Sequence, residues 1–179
     1  LENLIYKLNA FLNKDIGIAN IHKVRHDSHA RFDAISREYE YYITQIKDVY
    51  NHDKKYFFSK KLDFDKIDKA IDILKNTKNF KSFCRTKSDV TNYNCEIFDF
   101  NYEIKESEII FRIRANRFLR NMVRSLIGTI LDVSLNKISV KNLLEIIEKS
   151  NRIYAGPSVP AHALFLSNVE YPKNVFLDE

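Results

Sequence analysis

Five arginines in one short segment are the residues best suited to chemistry in this sequence. They lie in "FRIRANRFLRNMVRSLIGTI", Phe111 to Ile130, although the chain as a whole uses lysine about twice as often as arginine. The guanidinium group is a planar fork that binds a phosphate or a carboxylate through two hydrogen bonds. The segment therefore predicts a phosphate- or carboxylate-binding surface. A solvated basic face with intramolecular salt bridges explains the pattern equally well.

The predicted elements around this segment arrange its arginines in two sets. Arg112 and Arg114 are two residues apart on a predicted strand, so they share one face of it. We expect Asn116 to cap a helix through about Val133. The other three arginines, Arg117, Arg120 and Arg124, form a stripe along one face of this predicted helix. Asn121 borders the stripe. Because strand and helix are adjacent, the two sets are expected to converge on one concave surface.

A second constellation lies in "HARFDAISREYEYY". Arg31 and Arg37 bracket a predicted turn, and Tyr39 and Tyr41 follow on one strand face. Arginines beside aromatic rings suit contacts to bases that have left a nucleic-acid stack. Tyrosines at alternate strand positions are also common in ordinary core packing, and the sequence leaves both interpretations open.

Periodicity predicts an α+β fold, a largely antiparallel sheet flanked by helices, in one domain spanning residues 1–179. Residues 79–94 have no period and predict a long polar loop, which in a compact domain is often functional. The predicted helices cover residues 2–13, 63–76 and 116–133, and a fourth begins at Ser139. The predicted strands cover 16–24, 37–46, a hairpin within 95–115, and 164–171.

Composition limits the class of protein. The chain has 45% hydrophobic residues, enough for a core, and a net charge of +5. Its pI near 9.1 is compatible with a nucleic-acid partner. It has neither an apolar run of membrane-spanning length nor a signal-peptide pattern, so we expect a cytoplasmic protein. Cys84 and Cys95 are expected to be ordinary thiols. The spacing of the histidines near residue 26 fits no metal site, so no metal is predicted.

Four motifs in the same order resemble the tRNA pseudouridine synthase A family. "HARFDAISREYEYYI" resembles the family pattern A-R-F-x-A-x-x-R-x-Y-x-Y, and "FKSFC" resembles D-F-x-x-F-x. "ANRFLRNMVRSLIGTILDV" resembles A-N-x-F-L-x-x-M-V-R-x-x-x-G-x-L. "AGPSVPAHALFLSNVEYP" resembles A-G-P-x-x-P-A-x-G-L-x-L-x-x-V-x-Y-P. Together they span most of the chain, from His29 to Pro172.

The resemblance implies an isomerase that converts uridine to pseudouridine in the anticodon stem-loop of tRNA. It also implies a homodimer that needs no cofactor and no metal. Tyr39 matches the family's active-site tyrosine, which packs against the target base. Arg124 matches the arginine that pairs with the catalytic aspartate. The remaining residues in or beside these motifs are expected to contact RNA: Arg31, Arg37, Arg112, Arg114, Arg117, Arg120 and Asn121.

Two departures from the family pattern qualify this prediction. The family's nucleophilic aspartate lies in a G-R-T-D segment, which this sequence does not contain. We therefore expect the sequence to be the C-terminal portion of such an enzyme, inactive by itself. Ala163 stands where the family usually has glycine, which would strain the loop if φ were positive there. The alternative function is a non-catalytic RNA-binding module. A third possibility is a purely structural domain whose arginines are solvated. An RNA-binding module should lose affinity for tRNA steeply as salt rises, whereas a structural domain should not bind tRNA at all.

Overall fold

The computed structural model describes residues 2–86 and 90–177. The chain divides into two compact units, residues 1–34 with 171–179 and residues 35–170. The first unit contains helix α1, Glu2–Phe11, and a short 3₁₀ turn, Lys173–Val175.

The predicted strand at residues 16–24 is wrong. Only Val24 forms an isolated bridge, to Phe176. The side chain of Asn9 satisfies both backbone groups of Ile18: its Nδ2 donates to the Ile18 carbonyl at 2.9 Å, and the Ile18 amide donates to its Oδ1 at 2.7 Å. These are the groups that a strand would use in a ladder, so the segment stays irregular.

The second unit is built on a five-stranded, mostly antiparallel sheet. Strand β1 is its central element and pairs antiparallel with β4 along one side. Its other side pairs first with β5 and then, in parallel, with the short β2. Strand β3 completes the sheet beyond β4. The strand bounds are β1 Ser36–Thr44, β2 Tyr56–Phe57, β3 Ile97–Lys105, β4 Glu108–Ala115 and β5 Leu164–Glu170.

Three helices cover one face of this sheet and confirm the predicted α+β class. They are α2 Phe64–Lys75, α3 Met122–Ser134 and α4 Val140–Lys149. Asp63 caps α2 by accepting the amide of Lys66, and Ser139 caps α4 by accepting the amide of Asn142. Helix α3 is buried along almost all of its length and joins Phe111 and Ile113 in the core.

Helix α3 begins at Met122, not at Asn116 as predicted. Asn121 has a φ of 69°, which a right-handed helix does not permit. The Asn116 side chain does not cap; its Oδ1 accepts the Glu96 amide at 2.9 Å. Residues 116–121 therefore form a separate connection between β4 and α3.

The predicted loop at residues 79–94 is only partly irregular. It contains a 3₁₀ turn, Lys81–Phe83, which Phe80 and Phe83 anchor in the core. Residues 87–89 of this segment lie outside the described part of the chain. No described helix is long and apolar enough to cross a membrane.

Candidate active site

Tyr39 lies half-buried on the helix-covered face of β1. Its strand neighbours are Ile113 on β4 and Leu166 on β5. Its ring meets that of Phe118 edge-on, with centroids 5.0 Å apart and planes at 90°. Phe118 belongs to the 116–121 connection, so the strand and this connection together fix the tyrosine ring and leave part of it accessible.

Arg124 lies in the first turn of α3 and is held by the loop that precedes β5. Its Nε donates to the carbonyl oxygen of Val159 at 2.6 Å, and the Val159 amide donates to its own carbonyl at 3.2 Å. The half-buried guanidinium group is thereby fixed in direction. Among residues 2–86 and 90–177, no acceptor binds its remaining donors, so they are available to another acceptor.

A glycine allows this loop to approach α3. The Gly156 amide donates to Oγ1 of Thr129 at 3.0 Å. A β-carbon on Gly156 would lie 2.8 Å from the Cα of Thr129, closer than real side chains come. The "AGP" stretch therefore places the loop backbone against the helix, and Val159 follows at the correct position for Arg124.

Tyr41 completes the support of this loop, a role that the sequence did not reveal. Its side chain is fully buried, and its hydroxyl donates to the Pro160 carbonyl at 3.0 Å. Burial raises the pKa of the Tyr41 hydroxyl far above its ordinary value, and the charge of Arg124 partly opposes this. The phenol is therefore a neutral donor at physiological pH. The Y-x-Y spacing placed it on the face of Tyr39, but only the fold shows which carbonyl it binds.

Ala163, at the end of the same loop, causes no backbone strain. It is fully buried and is not among the residues with positive φ. The departure from the family's glycine therefore needs no unusual conformation.

The 116–121 connection carries three of the predicted RNA contacts and binds a fourth. Nη1 of Arg37 donates to the carbonyl oxygen of Asn116 at 2.8 Å. Arg120 is exposed, and its carbonyl accepts the Arg85 amide at 2.9 Å. Arg117 is half-buried. Arg117 and Arg120 lie on an irregular segment before α3, so the helical stripe predicted for them is wrong.

Asn121 lies at the end of this connection and contacts the loop before β5. Its Nδ2 donates to Oγ of Ser158 at 2.5 Å, and Nη2 of Arg152 donates to the same oxygen at 3.0 Å. Ser158 precedes the residue that holds Arg124. The polar residues around Arg124 are thus linked to a further arginine that the sequence analysis did not select.

Arg112 and Arg114 lie on the opposite face of the sheet. Arg112 forms ion pairs with Glu40 across the strand pair, at 2.7 Å, and with Glu103, at 2.9 Å. The guanidinium group of Arg114 lies over the ring of Phe98, 5.4 Å from its centroid. The expected convergence of all five arginines on one surface is therefore wrong, because the sheet separates the strand pair from Arg124.

Arg31 belongs to the first unit. Its guanidinium group lies 5.5 Å from the centroid of the Phe32 ring, and its amide donates to Nδ1 of His29 at 3.0 Å. The side chain is exposed.

Within residues 2–86 and 90–177, no group of three or more potential metal ligands is close enough to hold an ion. Cys84 and Cys95 are buried, and no disulfide joins them. Burial raises the pKa of the Cys95 thiol to about 11, which the charge of Arg117 opposes only partly. A protonated, buried thiol is a poor nucleophile.

The chain matches a model of the tRNA pseudouridine synthase family over residues 70–172. It is 42% identical over 177 residues to tRNA pseudouridine synthase A of Bacteroides fragilis, covering 98% of this chain and 70% of that protein. The corresponding protein of Parabacteroides distasonis is 42% identical over 173 residues, 97% of this chain and 69% of the relative. tRNA pseudouridine synthase A 1 of Bacillus cereus is 36% identical over 166 residues, which are 92% of this chain and 67% of that protein.

These matches cover almost the whole chain and identify it as an RNA-modifying isomerase. The chain belongs to the tRNA pseudouridine synthase family. The resemblance found in the four sequence motifs is thereby confirmed. The chain spans about 70% of the length of the relatives from Bacteroides and Parabacteroides.

Proposed function

We propose that the synthase acts on uridines of the tRNA anticodon stem-loop, with Tyr39 and Arg124 at its catalytic centre. The observation that carries this proposal is the fixation of Arg124 by Val159, on a loop that Tyr41 also holds. A guanidinium group fixed through Nε presents its terminal nitrogens to a second acceptor. A catalytic carboxylate is the acceptor that the reaction requires.

The chemistry of the reaction explains both residues. Pseudouridine formation breaks the bond between N1 of the base and C1′ of the ribose and forms a bond from C5 to C1′. The hydrogen on C5 leaves as a proton and N1 gains one, so substrate and product are isomers and no redox cofactor is needed. A carboxylate in a desolvated pocket would be driven to protonate, and an arginine beside it favours the charged form.

Tyr39 supplies the platform for the displaced base. A target base must leave the stack before its glycosidic bond is accessible, and aromatic side chains compensate for the lost stacking. The edge-on contact with Phe118 holds the ring of Tyr39 so that it needs no rearrangement when the base arrives.

We propose that the tRNA backbone is bound chiefly by Arg37, Arg117, Arg120 and Asn121, and by Arg31 from the first unit. Arg112 and Arg114 are expected to contribute least. A phosphate would have to compete with the two carboxylates that hold Arg112, at a cost in desolvation and lost ion pairs. Phosphate contacts of this kind set the position of the RNA, not the chemistry.

The proposed site of action is tested by mapping pseudouridines in tRNA after incubation with the protein as its gene encodes it. Carbodiimide modification followed by primer extension locates each product. Products within the anticodon stem-loop support the proposal, and products confined to other arms contradict it. We also propose that the protein is cytoplasmic and forms a homodimer. Sedimentation of the purified protein measures its mass and so tests the homodimer.

A further inference from the structure

A polar pocket lies next to the proposed catalytic centre, within residues 35–170. It is open to solvent and has a volume of about 470 Å³. The 3₁₀ turn after α2 and the residues that follow α4 form its walls. Its lining residues are Lys81, Cys84, Arg85, Thr86, Tyr93, Lys149, Ser150, Asn151 and Arg152.

The pocket has a strong excess of positive charge. Four of the lining residues that the structure describes are cationic, and none of these described lining residues is acidic. Within the described part of the chain, none of these four cations forms an ion pair: Lys81, Arg85, Lys149 and Arg152. Arg112, in contrast, has two carboxylate partners. A concave surface with unneutralised cations attracts an anion.

Arg152 lines the pocket and is held by two hydrogen bonds. Its Nη1 donates to the carbonyl oxygen of Ala155 at 3.2 Å, and its Nη2 donates to Oγ of Ser158 at 3.0 Å. The guanidinium group has five donors, so others remain for a ligand. Burial lowers the pKa of Arg152, which means that its charge is partly desolvated without a compensating carboxylate. An arriving anion would supply that compensation.

Two aromatic rings hold the lysines of the pocket. The ammonium group of Lys81 lies 5.4 Å from the centroid of the Tyr93 ring, and that of Lys149 lies 4.6 Å from the Tyr154 ring. Cation–π contacts restrict flexible lysine side chains and so reduce the entropy lost on binding. Rings beside cations are also the combination that single-stranded nucleic acids use, with phosphates on the cations and bases on the rings.

The pocket is joined to the proposed catalytic centre through backbone and side-chain contacts. The Arg85 amide donates to the carbonyl oxygen of Arg120, in the connection that precedes α3. Ser158 accepts from both Arg152 and Asn121. Val159, the next residue, holds Arg124. A polyanion that reaches Arg120 and Asn121 can therefore continue into the pocket.

We propose that this pocket binds backbone phosphates of the tRNA next to the nucleotide that is modified. The proposal rests on the proposed function, since it takes tRNA as the ligand. It adds Lys81, Arg85, Lys149 and Arg152 to the RNA-binding surface as a separate phosphate subsite. The ligand chemistry is the phosphodiester group, and a small phosphate compound would meet the same donors.

The test is the salt dependence of tRNA binding by a double variant, Lys81→Ala with Lys149→Ala. Both side chains are exposed, so the fold is expected to persist, and a thermal melt checks this. The matched control is Lys69→Ala with Lys141→Ala, which removes the same charge from exposed positions on α2 and α4. Filter binding of labelled tRNA between about 50 and 200 mM salt gives the slope of log K against log salt.

We expect the slope of the double variant to be shallower than that of the wild type by between about one and two units. With fewer phosphate contacts, fewer counterions are released when the tRNA binds. The control is expected to keep the wild-type slope. Equal slopes in both double variants would overturn the proposal. Calorimetry with inorganic phosphate distinguishes a tRNA phosphate from a small phosphate compound as the ligand. If the double variant loses phosphate binding but keeps the wild-type slope for tRNA, the proposal is also overturned.

A separate measurement distinguishes this proposal from the proposed function. Release of tritium from tRNA that carries it at C5 of uridine reports catalysis. If the wild type releases tritium but the two double variants have equal slopes, only the pocket assignment fails. If the wild type binds tRNA with the expected slopes but modifies no anticodon stem-loop, only the proposed function fails.

Discussion

Gly128 and Pro157 approach each other so closely that a β-carbon on Gly128 would lie 1.7 Å from the carbonyl oxygen of Pro157. No side chain fits in this space, and the obstacle is backbone. Gly128 lies one turn beyond Arg124 on α3, and Pro157 lies two residues before Val159. This close contact is what allows the loop to hold the proposed catalytic arginine.

Substitution of Gly128→Ala is therefore expected to destabilise the protein by about 1–3 kcal/mol, the usual cost of overpacking. The loop must move away from α3, which also breaks the hydrogen bond from Arg124 to Val159. Urea denaturation measures the change. Gly17→Ala is the control, because nothing lies within 4 Å of a β-carbon there. A similar change for both variants would contradict the close-contact interpretation.

Substitutions of Tyr39 separate its ring from its hydroxyl. Tyr39→Ala removes the ring that packs on Phe118 and is expected to lower kcat/KM by about tenfold or more, because stacking on a base contributes about 1–3 kcal/mol. Tyr39→Phe keeps the ring and is expected to lose much less. Tritium release at low substrate concentration gives both values. Equal losses in the two variants would show that the ring is not the platform.

Arg117 and Arg112 are predicted to differ in their effect on tRNA binding. Arg117→Ala is expected to reduce the slope of log K against log salt by about one, as for the loss of one phosphate contact. Arg112→Ala removes the same charge but is expected to leave the slope unchanged, because Glu40 and Glu103 already occupy its donors. The reverse order would contradict the assignment of the RNA to the face of the sheet that carries Arg124.

The network around Arg112 predicts a pH dependence of stability. The hydroxyl of Tyr42 donates to Glu40, and this bond, with Arg112, lowers the pKa of the Glu40 carboxyl below its ordinary value of 4.5. A lowered pKa in the folded state contributes stability that is complete above pH 4.5 and is lost as the pH falls through the folded-state pKa.

Glu40→Gln removes this acid-sensitive contribution. The free energy of unfolding, measured in urea at pH 7 and at about pH 4, is expected to fall less in this variant than in the wild type. Glu148→Gln, at an exposed position on α4, serves as the control and is expected to behave like the wild type. Equal losses in Glu40→Gln and the wild type would contradict the prediction.

Local sequence signals predicted the elements that local contacts determine. Asp63 and Ser139 each accept an amide of their own first helical turn, so their positions were readable from the sequence. The alternation of apolar residues likewise marked both strands of the hairpin. It placed Phe98 wrongly, because a register shift between Ile97 and Asp99 leaves this ring exposed beside Arg114.

The errors arose where distant contacts decide the structure. Asn116 was predicted as a helix cap, but its side chain instead binds the Glu96 amide, 20 residues earlier. The strand face of Arg112 was predicted correctly. Its ion pair with Glu40 could not be predicted, because it depends on the pairing register of β1 with β4. The bond from Arg124 to Val159 spans 35 residues and needs two glycines that bring loop and helix together. Family motifs marked these residues without showing their geometry.

Tritium release from tRNA labelled at C5 of uridine tests the central claim most directly, with the protein as its gene encodes it and its Arg124→Ala variant. We predict release by the wild type, a loss of about 100-fold or more in the variant, and no loss in Lys69→Ala. Unchanged release by Arg124→Ala, with its fold intact, would contradict a catalytic role for the arginine that Val159 holds. An absence of release by the wild type would contradict the proposed function itself.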